Sequence, residues 1–169
     1  MSGINSNGKV IAVSNGAVRE SFVLKQILSL CKRNLFVIVS ADEAMKLDTK
    51  TSVLLASEPG EFSNPQNFSV CVTEYSLAKL SIFSDFRDII TYSTERDGAD
   101  FTARNIRTAQ DGTTAFEIVG VGIIGRVRLK TKDKTAVPVA LAAAAAAIAA
   151  GIPFAAVLEA LNSMDQYGW

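Results

Sequence analysis

The sequence contains no histidine in its 169 residues. That absence removes the commonest general base and the commonest transition-metal ligand, and with them a Ser-His-Asp hydrolase or a histidine-ligated zinc enzyme. Cysteine is almost missing too. Cys31 and Cys71 stand in apolar surroundings, without the spacing of a zinc site or a redox pair. Both read as reduced core residues, which suits a cytoplasmic protein. An excess of charge of either sign is also lacking, since 17 Lys and Arg balance 17 Asp and Glu. No global field therefore favours nucleic acid or an anionic membrane. Residues 1–8 are polar and carry no charged start or apolar run of a secretion signal, so they read as a loose tail. The one long uncharged segment, Ala136 to Leu158, is mostly alanine, a weak driver of membrane insertion, and is broken around Gly151 and Pro153. A buried helix pair is the expected structure, and no membrane span.

What is present alternates strand and helix patterns. Lys9 to Val13 is an apolar run closed by Ser14, Asn15 and Gly16. Arg19 to Leu30 follows, with Phe22, Val23, Ile27, Leu30 and Cys31 at helical spacing. Leu35 to Val39 is a continuous apolar run, as expected of a strand buried on both faces of a parallel sheet. Thr51 to Ala56 predicts a strand, Ser57 to Pro65 a loop of turn formers, Phe68 to Val72 a strand, Ser76 to Phe83 a helix, and Asp88 to Ser93 another strand. From Ala99 the period changes to alternation in Phe101–Ile106, Thr113–Val119 and Arg126–Lys130, an antiparallel three-stranded meander. Two alanine-rich helices, Val137–Ala150 and Pro153–Leu161, end the chain. The fold class is thus α/β, a mainly parallel doubly wound sheet with helices on both faces, plus the antiparallel patch and the helix pair. One domain is expected over 9–169, with a parallel part at 9–95, the meander at 99–130 and the helix pair at 136–163.

Four groups of residues carry candidate chemistry. Gly120, Gly122 and Gly125 spell GxGxxG, but Arg126 to Lys130 continues as a strand rather than a helix, and no acidic residue stands about twenty positions on. The pattern reads as a glycine-rich hairpin. Ser14-Asn15-Gly16 sits between strand and helix, where a phosphate loop belongs. A P-loop needs lysine for the phosphate charge and a hydroxyl for magnesium, and here Ala17 and Val18 supply neither. Weak anion binding by the loop backbone and a plain strand-to-helix turn both remain open, and Ser14 or Asn15 is expected to cap the helix. Glu58 and Glu61 lie just past a strand and are candidate magnesium ligands, or solvated loop carboxylates. Arg104, Arg107, Arg126 and Arg128 could line one face of the meander, for an acidic ligand or simply as an exposed polar face.

Asp88–Ser93, Ala99–Ile106, Asp111–Phe116, the alanine run from Ala140 to Pro153, and Val157–Leu161 together resemble the closing part of the central domain of Mur ligases. These are ATP-dependent amino-acid-adding enzymes of peptidoglycan synthesis, related to folylpolyglutamate synthetase and the cyanophycin synthetases. The resemblance covers Phe68 to Ser163 well and Lys9 to Leu30 more loosely. It places Ser14, Asn15 and Gly16 on the family's "TNG" and Ala17 and Val18 where Lys-Thr stands, making this a vestigial phosphate loop. It places Ala136 and Val139 at the family's adenine-holding asparagines, a vestigial adenine pocket. It leaves little more than Ser57 to Asn67 for the stretch that carries the family's magnesium ligands and carbamylated lysine, and the ligase domain would begin near Trp169.

The resemblance therefore implies a shortened, non-catalytic relative with no catalytic residue, metal or cofactor of its own, binding a protein partner or another copy of itself and tied to cell-wall precursor synthesis. The alternative is a residual nucleotide-binding subunit of an ATP-dependent ligase, completed by a partner chain, which would keep ATP and Mg2+. A third reading, outside this family, is a small-ligand crevice at the strand ends near Ser14, Ser40 and Ser57.

Overall fold

A computed structural model describes residues 9–33, 35–47, 50–165 and Trp169. The expected tail at residues 1–8 lies outside the described residues. Lys9–Val13 (β1) leads into Val18–Leu30 (α1), Phe36–Ser40 (β2), Ala41–Lys46 (α2), Thr51–Ala56 (β3), Phe68–Glu74 (β4) and Ile89–Ser93 (β5). Phe101–Thr108 (β6), Thr114–Gly120 (β7), Ile123–Leu129 (β8), Ala136–Ala149 (α3) and Phe154–Ser163 (α4) complete it.

All eight strands form a single sheet in the order β2-β1-β3-β4-β5-β6-β7-β8. The first six run parallel, and β7 and β8 are added antiparallel. The meander is thus continuous with the parallel sheet, because β6 pairs with β5 through Tyr92 and Ser93 opposite Phe101 and Thr102. The GxGxxG stretch is a hairpin: Gly120 pairs with Ile123 around the two-residue turn Val121 and Gly122.

Because side chains alternate across a strand, each parallel strand feeds two cores. Ile11, Val13, Val53, Leu55 and Val72 face α1, α3 and α4, together with Phe116, Ile118, Val127 and Leu129 of the meander. Ala12, Leu54, Ala56 and Cys71 face α2 and the loops, where Phe62, Phe68, Phe83 and Phe86 stack with ring centroids between 5.8 Å and 6.1 Å apart. α3 is buried at every position from Ala136 to Ala147 except Pro138. A helix that apolar must be enclosed, and its methyl side chains let it lie close on both the sheet and α1. α4 sits on β8 just as tightly: a methyl on Gly125 would overlap Leu158 and Phe154.

Several expectations change. Ser76 to Phe83 is two short 3-10 turns, Leu77–Lys79 and Ser81–Phe83, since Leu80 between them is extended and breaks the run. Leu35 to Val39 is not covered on both faces. β2 lies at the sheet edge, with Leu35 outside the strand and 72% exposed and Val37 37% exposed. α1 presents Val23, Leu24, Ile27 and Leu28 to the core and leaves Phe22 and Leu30 exposed, so its buried stripe is rotated from the one the spacing suggested. α2 is an element that the strand-and-helix pattern above does not include, although its start carries a local signature. Ser40 accepts from the Glu43 N–H, and Glu43 returns a carboxylate to the Ser40 N–H, a capping box. No helix among the described residues is long and apolar enough to cross a membrane.

Candidate functional site

The sheet order reverses at β1, whose successor β2 lies on one side and β3 on the other. In open α/β sheets ligands bind in the crevice outside the strand ends at such a switch point. Here that crevice is formed by Ser14-Asn15-Gly16 after β1 and Ser57-Glu58 after β3.

The N–H groups of Gly16, Ala17 and Val18 are already engaged. The Gly16 N–H donates to Glu58 Oε1 at 2.5 Å. The Ala17 N–H turns back to the Ser14 carbonyl at 3.0 Å and the Val18 N–H to the Gly16 carbonyl at 2.9 Å. A Cβ at Gly16 would overlap the Glu58 carboxylate, so a larger residue there would displace that side chain. Neither Ser14 nor Asn15 caps α1, contrary to expectation: the N-cap is Ala17, with no side-chain bond. Ser14 Oγ instead accepts from the Ser57 N–H at 3.2 Å, and Asn15 Nδ2 donates to Asp42 Oδ2 at 2.8 Å. The two residues fasten the loop to the neighbouring strand end and to α2. Sequence reasoning missed Asp42 and the pairing of Glu58 with Gly16, because both are contacts between residues 27 or 42 positions apart.

The remaining candidates are placed as follows. Ala17 is buried, and Val18 is 71% exposed with its side chain in solvent. Ala136 and Val139 are buried in α3, packed into the core. Above them, Arg19 reaches from α1 to Thr135 Oγ1 at 2.9 Å and to Asp133 Oδ2 at 3.3 Å. The Thr135 hydroxyl and N–H, with this guanidinium, hold the Asp133 carboxyl below the usual aspartate range. Glu61 is exposed, and no group of three or more Cys, Asp or Glu among the described residues is placed to hold a metal. Ser14 and Ser40 share a hollow of about 390 Å³ with Phe22, Lys25 and Glu43, and Ser57 is not part of its lining. Cys71 is buried and free, its thiol pushed up to about 12 by burial, so it stays protonated at neutral pH.

A triphosphate with magnesium calls for several convergent N–H groups, a cation and a hydroxyl. Here the Gly16 N–H faces a carboxylate, the Ala17 and Val18 N–H groups turn to the loop's own carbonyls, and Ala17 and Val18 add only apolar side chains. The residues present do not fit that group.

The meander is arranged differently. Arg104 pairs across β7 with Glu117 and that residue with Arg126, while Arg107 and Arg128 both pair with Ala115. Between Arg104 and Arg107 the register shifts, so that Asn105 and Ile106 together oppose Phe116. This bulge, with Asn105 at φ 55, returns Arg107 to the outward face that Arg104 occupies. All four arginines share that face, Arg126 and Arg128 by their i, i+2 spacing and Arg104 and Arg107 only because of the bulge. Arg126 lies 3.5 Å from Glu117 Oε1, Arg128 3.5 Å from Asp111 Oδ2, and Arg104 3.1 Å from Asp97 Oδ1. Glu117 also accepts from Asn105 Nδ2 at 2.6 Å. Asn162 of α4 closes the open edge of β8: its Oδ1 accepts from the Arg128 N–H at 2.8 Å and its Nδ2 donates to the Arg126 carbonyl at 3.1 Å.

No protein-family model matches the chain, and no curated protein sequence does. Solved structures do. MurF from Acinetobacter baumannii superposes with a TM-score of 0.74 at 15% identity, over 95% of this chain and 47% of that one. UDP-N-acetylmuramate-alanine ligase MurC from Thermotoga maritima gives a TM-score of 0.67 at 16% identity, over 94% and 45%. A murein peptide ligase from Psychrobacter arcticus gives 0.69 at 15% identity, over 94% and 47%. The chain spans about half the length of these ligases. Its fold, an eight-stranded mostly parallel sheet carrying an antiparallel meander and an alanine-rich helix pair, is Mur-ligase-like.

Proposed function

We propose that this chain is a non-catalytic Mur-ligase-like module, cytoplasmic, that has lost ATP and magnesium binding and works by binding a protein partner or a second copy of itself in connection with cell-wall precursor synthesis. The observation that carries this reading is the Glu58 carboxylate on the Gly16 N–H. A phosphate entering there would meet a like charge at contact distance, with Ala17 and Val18 supplying no cation beside it to offset that charge. The same contact counts against a residual nucleotide-binding subunit, since a partner that supplied the missing lysine would still have to displace Glu58.

Support for a partner comes from the uncovered edge at β2. Val18, Phe22, Leu35 and Val37 are all exposed in this region. No strand pairs with the outer side of β2 among the described residues. Exposed apolar side chains gathered beside a free strand edge mark a surface that another chain can cover. Titration calorimetry with Mg-ATP, run beside light scattering for oligomeric state, tests the proposal. The expected result is no heat of ATP binding, and micromolar ATP affinity would overturn it in favour of the nucleotide-binding subunit.

A further inference from the structure

We propose that the outer face of the meander is a binding site for a small oxyanion-bearing molecule, a carboxylate or phosphate, held between Arg107 and Arg128 over Ala115. The inference is independent of the nucleotide loop and of the partner surface at β2. It begins with the register. Arg107 and Arg128 flank the same residue of the middle strand from opposite sides, so their backbones stand roughly 9.6 Å apart, two strand spacings. Ala115 between them contributes only a methyl group and leaves the space above it empty.

That space is a cleft of about 600 Å³, walled by Arg107, Glu117, Arg126, Arg128 and Asn162. Its volume falls in the range of small-molecule sites. Guanidinium groups are planar forks matched to the two oxygens of a carboxylate or phosphate. Arg128 has a carboxylate only at 3.5 Å, from Asp111 outside the cleft, and Arg107 forms no ion pair among the described residues. An oxyanion seated over Ala115 would meet both forks.

The backbone is shaped to produce this arrangement. Without the bulge at Asn105 and Ile106, a separation of three residues would send Arg107 to the face opposite Arg104, into the apolar core. Asn105 adopts a left-handed conformation to make the bulge and fixes it by donating to Glu117. Glu117 in turn steadies Arg126 at the cleft wall, and Asn162 holds the β8 backbone on which Arg126 and Arg128 ride.

Amide chemical-shift titration of the whole chain with sodium pyrophosphate, and separately with tricarballylate, at fixed ionic strength, tests the site. The expected result is saturable shifts at Arg107, Ala115, Arg128 and Asn162 with at least one probe, and the tighter probe identifies phosphate or carboxylate as the source. Arg107→Gln should weaken binding about 10-fold, the loss of a charge-assisted hydrogen-bonding fork. Arg104→Gln, whose partner Asp97 lies outside the cleft, should change it by less than about 2-fold. Amide spectra of both variants establish that the fold is retained. No saturable shift with either probe, or equal loss in the two variants, would overturn the proposal.

Discussion

At the β1/β3 switch point a backbone N–H suited to an anion is met by the chain's own Glu58, whereas on the meander the fork of Arg107 meets no carboxylate among the described residues. The first place is where this class of sheet usually binds ligands, and the second is an added antiparallel ribbon. The contrast follows from what each backbone brings close together. The loop after β3 passes over Gly16, anchored beyond Glu58 by Phe62 in the aromatic cluster, so a carboxylate sits on the Gly16 N–H. On the meander, cross-strand pairing sets cations on either side of an alanine and brings one central carboxylate, Glu117, which is shared between Asn105 and Arg126. One sheet thus sets a carboxylate on the exposed donor at its switch point and leaves arginine forks on its antiparallel face.

The largest expected effect is at the join between the meander and α4. Gly125→Val would drive two methyl groups into Leu158 and Phe154, which already fill the space beside the Cα. Overpacking of this kind costs about 3 kcal/mol, read as a lower urea midpoint with unchanged slope. The same shift should lift Asn162 off β8 and broaden the Arg126 and Arg128 amides. If the midpoint does not move, α4 is not what holds the arginine face in place, and the contrast with the switch point loses its structural basis.

A smaller effect is expected at the loop. Glu58→Ala removes the carboxylate from the Gly16 N–H and costs about 1 kcal/mol for one lost charge-assisted bond at an exposed position. The freed N–H should then answer to sulfate, with the Gly16 amide shifting in the variant and not in the wild type. ATP binding should not appear, because Ala17 and Val18 still direct their N–H groups to the loop's own carbonyls. A Gly16 amide that responds to sulfate equally with and without Glu58 would erase the distinction drawn between the two regions.

The order of strands and helices was legible in the sequence because it rests on local period: Thr51–Ala56 matched its strand to the residue, and the meander and helix pair lay close to their expected bounds. Position within the sheet was not legible. The run Leu35 to Val39 is as apolar as a central strand, yet β2 is an edge, since order is set by crossovers rather than composition. The same limit applies to the site. That Ala17 and Val18 carry no phosphate chemistry is written in their side chains, but Glu58 was read as a possible metal ligand because its partner lies 42 residues away. The shared face of the four arginines was suggested by alternation in β8. Along β6 it depended on a bulge that a count of residues does not reveal, and Asn105, a residue that tolerates the left-handed conformation, is the one local sign of it.

The smallest effect concerns Asp111, the one carboxylate among the described residues that pairs with Arg128. Its Oδ1 accepts from the Thr113 hydroxyl at 2.6 Å and from the Thr113 N–H at 3.0 Å, and these bonds, more than Arg128, hold its carboxyl below the usual aspartate range. A carboxylate favoured in this way stabilises the β6–β7 turn fully above the ordinary aspartate value, and that contribution disappears as the pH falls through the lower folded value. In the wild type the Thr113 amide should therefore show a titration step below the ordinary aspartate pKa of about 3.9. Asp111→Asn keeps an acceptor for Thr113 and abolishes the step. It also leaves Arg128 without its carboxylate, and pyrophosphate affinity at neutral pH should rise about 2-fold, the modest amount expected for an exposed pair. An unchanged affinity would mean that Arg128 does not reach the ligand, and the open face would reduce to Arg107 alone.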